Sequence, residues 1–97
     1  METKITIEAE FAELNESKGG GSTIILSLEN GLKLIERLKS EKIEILGIDG
    51  FFLAPDRTEP SLDNSISFVG DGINTWEPAI DFLTTHKDMG LSFEIVY

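Results

Sequence analysis

The segment from Ile43 to Leu53 constrains the fold more than any other stretch of this chain. Its β-branched and alternating residues are typical of a strand. Gly47 and Gly50 enclose Ile48 and Asp49 within it, although glycine weakens the interior of a strand. We therefore predict that the strand bulges at this point, or that another part of the backbone approaches it closely. Either arrangement would bring Asp49 to a defined place.

The length and composition predict one small globular domain that spans residues 1–97. The chain has 97 residues, of which 40% are hydrophobic, and this is close to the lower limit for an adequate core. It contains no cysteine, which excludes disulfides, thiolate nucleophiles and cysteine metal sites. No apolar run approaches the roughly 20 residues of a membrane span, and residues 1–11 lack the apolar core of a signal peptide. We expect a cytoplasmic protein.

Hydrophobic periodicity predicts an α+β fold. Apolar residues alternate in strands and recur every three or four residues in helices. The predicted strands cover 5–11, 43–53, 65–68 and 91–97, the predicted helices cover 28–38 and 76–83, and the residues between 54 and 64 are expected to form a Pro-bounded loop. Residues 23–28 fit either a strand or a helix. This order predicts a four- or five-stranded antiparallel or mixed sheet with two helices on one face.

The residues offer little catalytic chemistry. The single histidine, His86, follows a predicted helix, where the helix dipole favours a positive charge. No serine lies in a nucleophile-elbow motif, and the glycines at 19–21 lack the lysine of a phosphate-binding loop. Asp49, Asp56 and Asp63 suggest one alternative, a small acidic enzyme with a carboxylate or magnesium site. We expect instead no enzyme, no catalytic residue, no metal and no cofactor.

The charge distribution indicates a binding surface. The formal net charge is -10, and from Asp49 to Asp81 seven acidic residues accompany one basic residue, Arg57. A field of this sign repels nucleic acid and anionic membranes and attracts basic proteins. Because the acidic residues lie mostly in predicted loops, they are more typical of a binding face than of a solvated helix. We expect a basic protein partner, and neither a nucleic acid nor a membrane.

The candidate partner-binding residues combine carboxylates with two aromatic side chains. Adjacent residues of a strand point to opposite sides, so one phenylalanine of the Phe51-Phe52 pair is expected to be exposed. Exposed aromatic residues are common anchors of protein interfaces. The complete candidate set is Asp49, Phe51, Phe52, Asp56, Glu59, Asp63, Asp71 and Glu77.

Residues 28–97 resemble colicin E5-type immunity proteins and related immunity proteins of bacterial polymorphic toxin systems. The resemblance rests on the helical segment 32–38 followed by Leu46-Gly47-Ile48-Asp49-Gly50. The segments 59–68, 76–83 and 93–96 fit the broader group, whereas the first strand and the glycine loop lie outside it. Such proteins are small, non-enzymatic and often acidic, and they neutralise a toxin domain by tight binding.

The resemblance and the charge lead to the same functional hypothesis. A nuclease must hold a polyanion, so its active cleft is basic. An acidic inhibitor can fill that cleft or bind a neighbouring surface, and electrostatic steering accelerates the encounter. We therefore expect an immunity protein that binds the basic C-terminal nuclease domain of a cognate toxin, about one to one. The alternatives are the carboxylate enzyme and a regulatory interaction module.

Overall fold

The computed structural model describes residues 2–15, 24–54, 57–68 and 75–97. In chain order they form helices α1 (Glu2–Ala12) and α2 (Leu28–Ser40), strands β1 (Gly47–Ala54) and β2 (Arg57–Ser67), helix α3 (Trp76–Thr85) and strand β3 (Ser92–Val96). The strands make an antiparallel sheet in the order β2-β1-β3. A single bridge between Leu26 and Phe93 adds a fourth segment. The predicted α+β class and the antiparallel sheet are confirmed.

The hydrophobic core lies between one face of the sheet and the helices. Ile48 of β1 and Phe93 of β3 are fully buried there, together with Leu38 of α2 and Leu83 of α3. A Cβ atom added to Gly31 would lie 3.1 Å from Leu83 Cδ1, so the glycine lets α2 and α3 pack closely. We call the opposite side of β1 and β3 the outer face.

The strand predicted for residues 5–11 is wrong, because this segment lies within helix α1. Ile7 and Phe11 are both buried, whereas Ile5 is 69% exposed. Residues 7 and 11 lie on one face of a helix, one turn apart, and also on one face of a strand. The alternating pattern therefore does not distinguish the two structures, and packing of Ile7 and Phe11 into the core selects the helix. The fold has three helices in its described residues, not two.

The ambiguity at residues 23–28 is resolved for the described part of that segment. Leu26 exchanges two backbone hydrogen bonds of 2.7 Å with Phe93, so the chain is extended there. Helix α2 begins at Leu28, and the hydroxyl of Ser27 caps it by accepting a hydrogen bond from the Asn30 amide at 3.2 Å. Serine is a preferred residue at this position because its oxygen satisfies an otherwise unpaired amide.

The loop predicted between residues 54 and 64 is also wrong for most of its length. Strand β2 begins at Arg57 and pairs with β1 from Ala54↔Arg57 onwards. Pro60 suggested a loop because proline has no amide to donate to a sheet. The structure accommodates Pro60 because β2 is an edge strand, the place in a sheet where proline is tolerated.

Helix α3 is attached to the chain that leads into β1. The hydroxyl of Thr75, which is almost completely buried, accepts a hydrogen bond of 2.8 Å from the Ile45 amide. Trp76 Nε1 donates to the Ile43 carbonyl at 2.8 Å, and the Trp76 ring packs against the core. Trp76 is therefore partly buried against the core, where it joins α3 to the chain before β1. Thr75 is the N-cap residue of α3.

The irregularity predicted around the two glycines is present, and it arises from the neighbouring strand. The pairing of β1 with β2 jumps from Asp49↔Ser65 to Gly50↔Ser61, which leaves residues 62–64 of β2 without a counterpart. A Cβ atom on Gly50 would lie 2.6 Å from the Asn64 carbonyl oxygen. Asn64 is itself buried, and its Nδ2 donates to Ser61 Oγ at 2.9 Å. The bulged backbone therefore requires a glycine beneath it.

We expect Gly50→Ala to lower the free energy of unfolding by about 1–3 kcal/mol, since the new methyl group would meet backbone that cannot rotate away. Chemical denaturation measures this change. Gly31→Ala is the comparison variant, and a smaller change is expected for it because its methyl group would meet the end of the Leu83 side chain rather than backbone. Equal stability of wild type and Gly50→Ala would contradict the close approach.

Candidate functional site on the outer face of the sheet

Strands β1 and β3 bring two carboxylates together on the outer face. Ile48 and Ile95 are paired and buried, so the residue that follows Ile48 and the residue that precedes Ile95 point to the opposite side. Those residues are Asp49 and Glu94, and they are also directly paired. Both are half-buried. Like charges in directly opposite positions destabilise a sheet, so this pair is unfavourable in the isolated protein.

The surroundings of Glu94 raise its pKa above the ordinary value of 4.5. Partial burial, which disfavours the charged carboxylate, is the larger cause, and the negative charge of Asp49 is the smaller one. Strands β1 and β3 contain no lysine or arginine. Within the described ranges, neither carboxylate forms an ion pair with a basic residue.

In the helices, in contrast, basic side chains form ion pairs with acidic ones. Arg37 binds Glu41 at 2.7 Å and Glu10 at 3.1 Å, which links α2 to α1. Lys39 of α2 binds Glu77 of α3 at 3.0 Å. These two basic residues of α2 therefore form ion pairs with carboxylates that lie in the helices or directly after them. Asp49 and Glu94 form no such ion pair with a basic residue whose side chain is described, and one described cation, Lys4, lines the same cleft as Glu94.

Phe51 completes the outer face beside the carboxylates. It lies two residues after Asp49 on the same side of β1, and it is paired with Ser92 of β3 and Pro60 of β2. Its side chain is half-buried, whereas Phe52 on the other side of the strand is 43% exposed. The prediction that the pair includes an exposed phenylalanine is confirmed, and the more exposed residue is Phe52.

The eight predicted site residues do not form a single face. Asp49 and Phe51 lie on the outer face, but Phe52 and its partner Glu59 lie on the other side of the hairpin. Asp63 belongs to the bulge of β2, and Glu77 is bound to Lys39 in the helical layer. Asp56 and Asp71 lie outside the described residues. The structure therefore does not bring these described members together on one surface, and their role in partner binding stays a prediction.

Sequence reasoning missed Glu94 as a site residue. A signal was present, because Glu94 is the single charged residue of the apolar terminal strand and alternates with Phe93 and Ile95. Its importance depends on the pairing with Asp49, 45 positions earlier in the chain, and this register is not visible in the sequence.

A cleft of about 350 Å³ adjoins the outer face at β3. It lies between α1, α2 and the outer edge of β3, and we call it the edge cleft. Tyr97 contributes a hydroxyl whose pKa is raised, first by burial and then by the nearby charge of Glu8. The lining residues are Lys4, Glu8, Phe11, Ile24, Leu34, Glu94, Ile95 and Tyr97.

His86 contributes to the end of helix α3. Its backbone amide donates to the carbonyl oxygens of Phe82 and Leu83. The centroid of its ring lies 4.2 Å from the centroid of the Phe82 ring. Across the described ranges, no group of three or more histidine or acidic residues is arranged to hold a metal ion. Within the same ranges, no helix is both long and apolar enough to cross a membrane. The carboxylate enzyme remains an untested hypothesis.

Comparisons with protein-family models, curated proteins and solved structures found no match to this chain. The resemblance of residues 28–97 to immunity proteins therefore stays a prediction.

We expect Glu94→Gln to increase the free energy of unfolding at pH 7, because it removes a desolvated charge facing Asp49. The gain should be below about 1 kcal/mol, since solvent screens a partly exposed pair. A raised pKa means that the folded protein holds this proton more tightly than the unfolded chain. The charge therefore opposes folding above the folded pKa, and the gain should fade as the pH falls through that raised pKa towards the ordinary value of 4.5.

Denaturation curves at several pH values measure this effect. Glu36→Gln, at an exposed position of α2, is the control for a general loss of negative charge. The same gain in both variants, or a loss in Glu94→Gln at pH 7, would show that the carboxylate pair is not a local source of instability.

Proposed function

We propose that this protein is an immunity protein that binds the basic nuclease domain of a cognate toxin through the outer face of its sheet. The observation that carries the proposal is the uncompensated pair of Asp49 and Glu94. Two partly desolvated carboxylates side by side form an unfavourable arrangement until a cation reaches them. A basic side chain of a partner supplies that cation.

The geometry favours an arginine as the residue that is bound. Its planar guanidinium has five donors and can bond two carboxylates at once. Charge-assisted hydrogen bonds of this kind are about twice as strong as neutral ones. Phe51 lies next to the pair on the same face and offers an aromatic surface on which a guanidinium can stack.

The overall charge supports a basic protein rather than another ligand. With a net charge of -10, the chain attracts a positively charged surface over distances of about a Debye length, near 10 Å. A nuclease domain presents such a surface because it must hold a polyanion. The resemblance of residues 28–97 to toxin immunity proteins adds to this argument. Binding about one to one in the cytoplasm, where the nuclease would meet its substrate, is part of the proposal.

We expect Asp49→Lys to weaken binding of the basic C-terminal toxin domain encoded beside this gene by about 2 kcal/mol or more, since it places a cation where the partner's cation binds. Surface plasmon resonance measures the affinity, and a nuclease assay measures the loss of inhibition. The variant should fold, because a lysine opposite Glu94 relieves the repulsion within the pair.

Glu36→Lys is the matched control, with the same change of charge on the exposed side of α2. It should slow association slightly and leave inhibition intact. Equal losses of affinity in the two variants would mean that only the net charge matters and that the outer face is not the interface. The absence of a complex between the wild-type protein and the toxin domain at low salt would refute the proposed function itself.

A further inference from the structure

The two edges of the sheet are protected to very different degrees. Exposed edge strands invite pairing with other chains, and proteins usually block them with proline, lysine or a bulge. The edge strand β2 carries Pro60 and the bulge at 62–64. The other edge strand, β3, has the sequence Ser-Phe-Glu-Ile-Val and contains neither proline nor lysine.

The outer edge of β3 is covered at one residue pair among the described residues. Phe93 directs its amide and carbonyl outward to Leu26, in two hydrogen bonds of 2.7 Å. Backbone groups alternate in direction along a strand, so Ile95 directs its amide and carbonyl to the same edge. The bridge at Leu26 is isolated, and no described strand continues the pairing beyond it.

The edge cleft lies beside this part of β3, with which no described strand pairs on the outer side. Apolar side chains of Phe11, Ile24 and Leu34 form part of its lining, as expected for a surface that receives apolar groups. Its charged lining comprises two carboxylates, Glu8 and Glu94, and one basic residue, Lys4. Glu94 therefore belongs both to the outer face and to the edge cleft.

We propose that an extended segment of the toxin domain adds to the outer edge of β3 as a further strand, with apolar side chains in the edge cleft and basic side chains next to Glu94. This inference rests on the proposed function and specifies how the partner binds. Main-chain hydrogen bonds to an open edge provide affinity in such complexes, and alternate side chains provide specificity.

Charge complementarity selects this occupant over a second copy of the chain. The open edge is flanked by Glu8 and Glu94, and a second copy would bring its own net charge of -10 to that place. A basic strand neutralises these carboxylates when it binds. It would also place a cation near Asp49, which is paired with Glu94 on the outer face.

The first test is amide hydrogen exchange, followed by NMR, for the full chain with and without the toxin domain encoded beside it. We expect the Ile95 and Tyr97 amides to become about tenfold or more protected in the complex, because they gain partners at the outer edge. The Glu94 and Val96 amides face β1, so they serve as internal controls.

The second test blocks the edge cleft sterically. The chain has no cysteine, so Lys4→Cys provides one thiol in the cleft lining for a bulky maleimide. That adduct should weaken binding of the toxin domain about tenfold or more. The same adduct on Lys33→Cys, an exposed position of α2 outside the cleft, removes the same charge and should leave the affinity unchanged.

The outcomes separate this inference from the proposed function. An inhibitory complex with unchanged exchange at Ile95 and Tyr97, insensitive to the Lys4→Cys adduct, would overturn edge docking and leave the proposed function standing. Protection that appears without the toxin domain and grows with protein concentration would make the occupant a second copy. The absence of any complex would end both proposals.

Discussion

The pairing of Ile48 with Ile95 is the constraint on which the rest of the structure depends. Both residues are buried, and they fix the register of β1 against β3 within the core. A slip of one residue would exchange the two faces and move these apolar side chains out of the core. The core therefore forces Asp49 and Glu94 into opposition on the outer face, and hydrophobic packing maintains a charge arrangement that is unfavourable by itself.

Two asymmetries of the fold converge on strand β3. Helix α2 binds the acidic residues next to it through Arg37 and Lys39, whereas the sheet carries its carboxylates without a basic residue on β1 or β3. Among the described residues, Pro60 and a bulge block one edge of the sheet, whereas only the bridge to Leu26 pairs with the other. The Glu94 side chain lies on the outer face and lines the edge cleft, while the Ile95 backbone groups point to the edge of the sheet. One short strand thus combines a charge on one face with backbone groups directed to the edge.

The sequence predicts those elements whose formation depends on residues close together in the chain. Helical spacing predicts α2 and α3, and the alternation of residues 91–97 predicts β3. Gly47 and Gly50 indicate a close approach of neighbouring backbone, because a residue without a side chain leaves room for it. The segment 5–11 could not be assigned, since Ile7 and Phe11 lie on one face in either structure. Strand β2 was missed because tolerance of Pro60 depends on its position at a sheet edge.

The candidate site was less predictable than the fold. Asp49 and Phe51 could be selected because they lie beside the unusual glycines. Glu94 could not, because its significance comes from the charge opposite it. Glu59 and Glu77 were selected from the excess of acidic residues in sequence, but the structure separates them from Asp49. A count of charges along a chain does not show which of them share a surface.

The pKa of Glu94, measured by NMR titration of its carboxyl group in the free protein and in the complex with the toxin domain, shows whether a cation of the partner binds the pair of Asp49 and Glu94. We expect a pKa above 4.5 in the free protein, where burial and Asp49 oppose the charge. In the complex we expect a pKa below that value, because a bound cation stabilises the carboxylate. A pKa that stays raised in a complex that inhibits the nuclease would contradict the claim that this carboxylate pair receives the partner's cation.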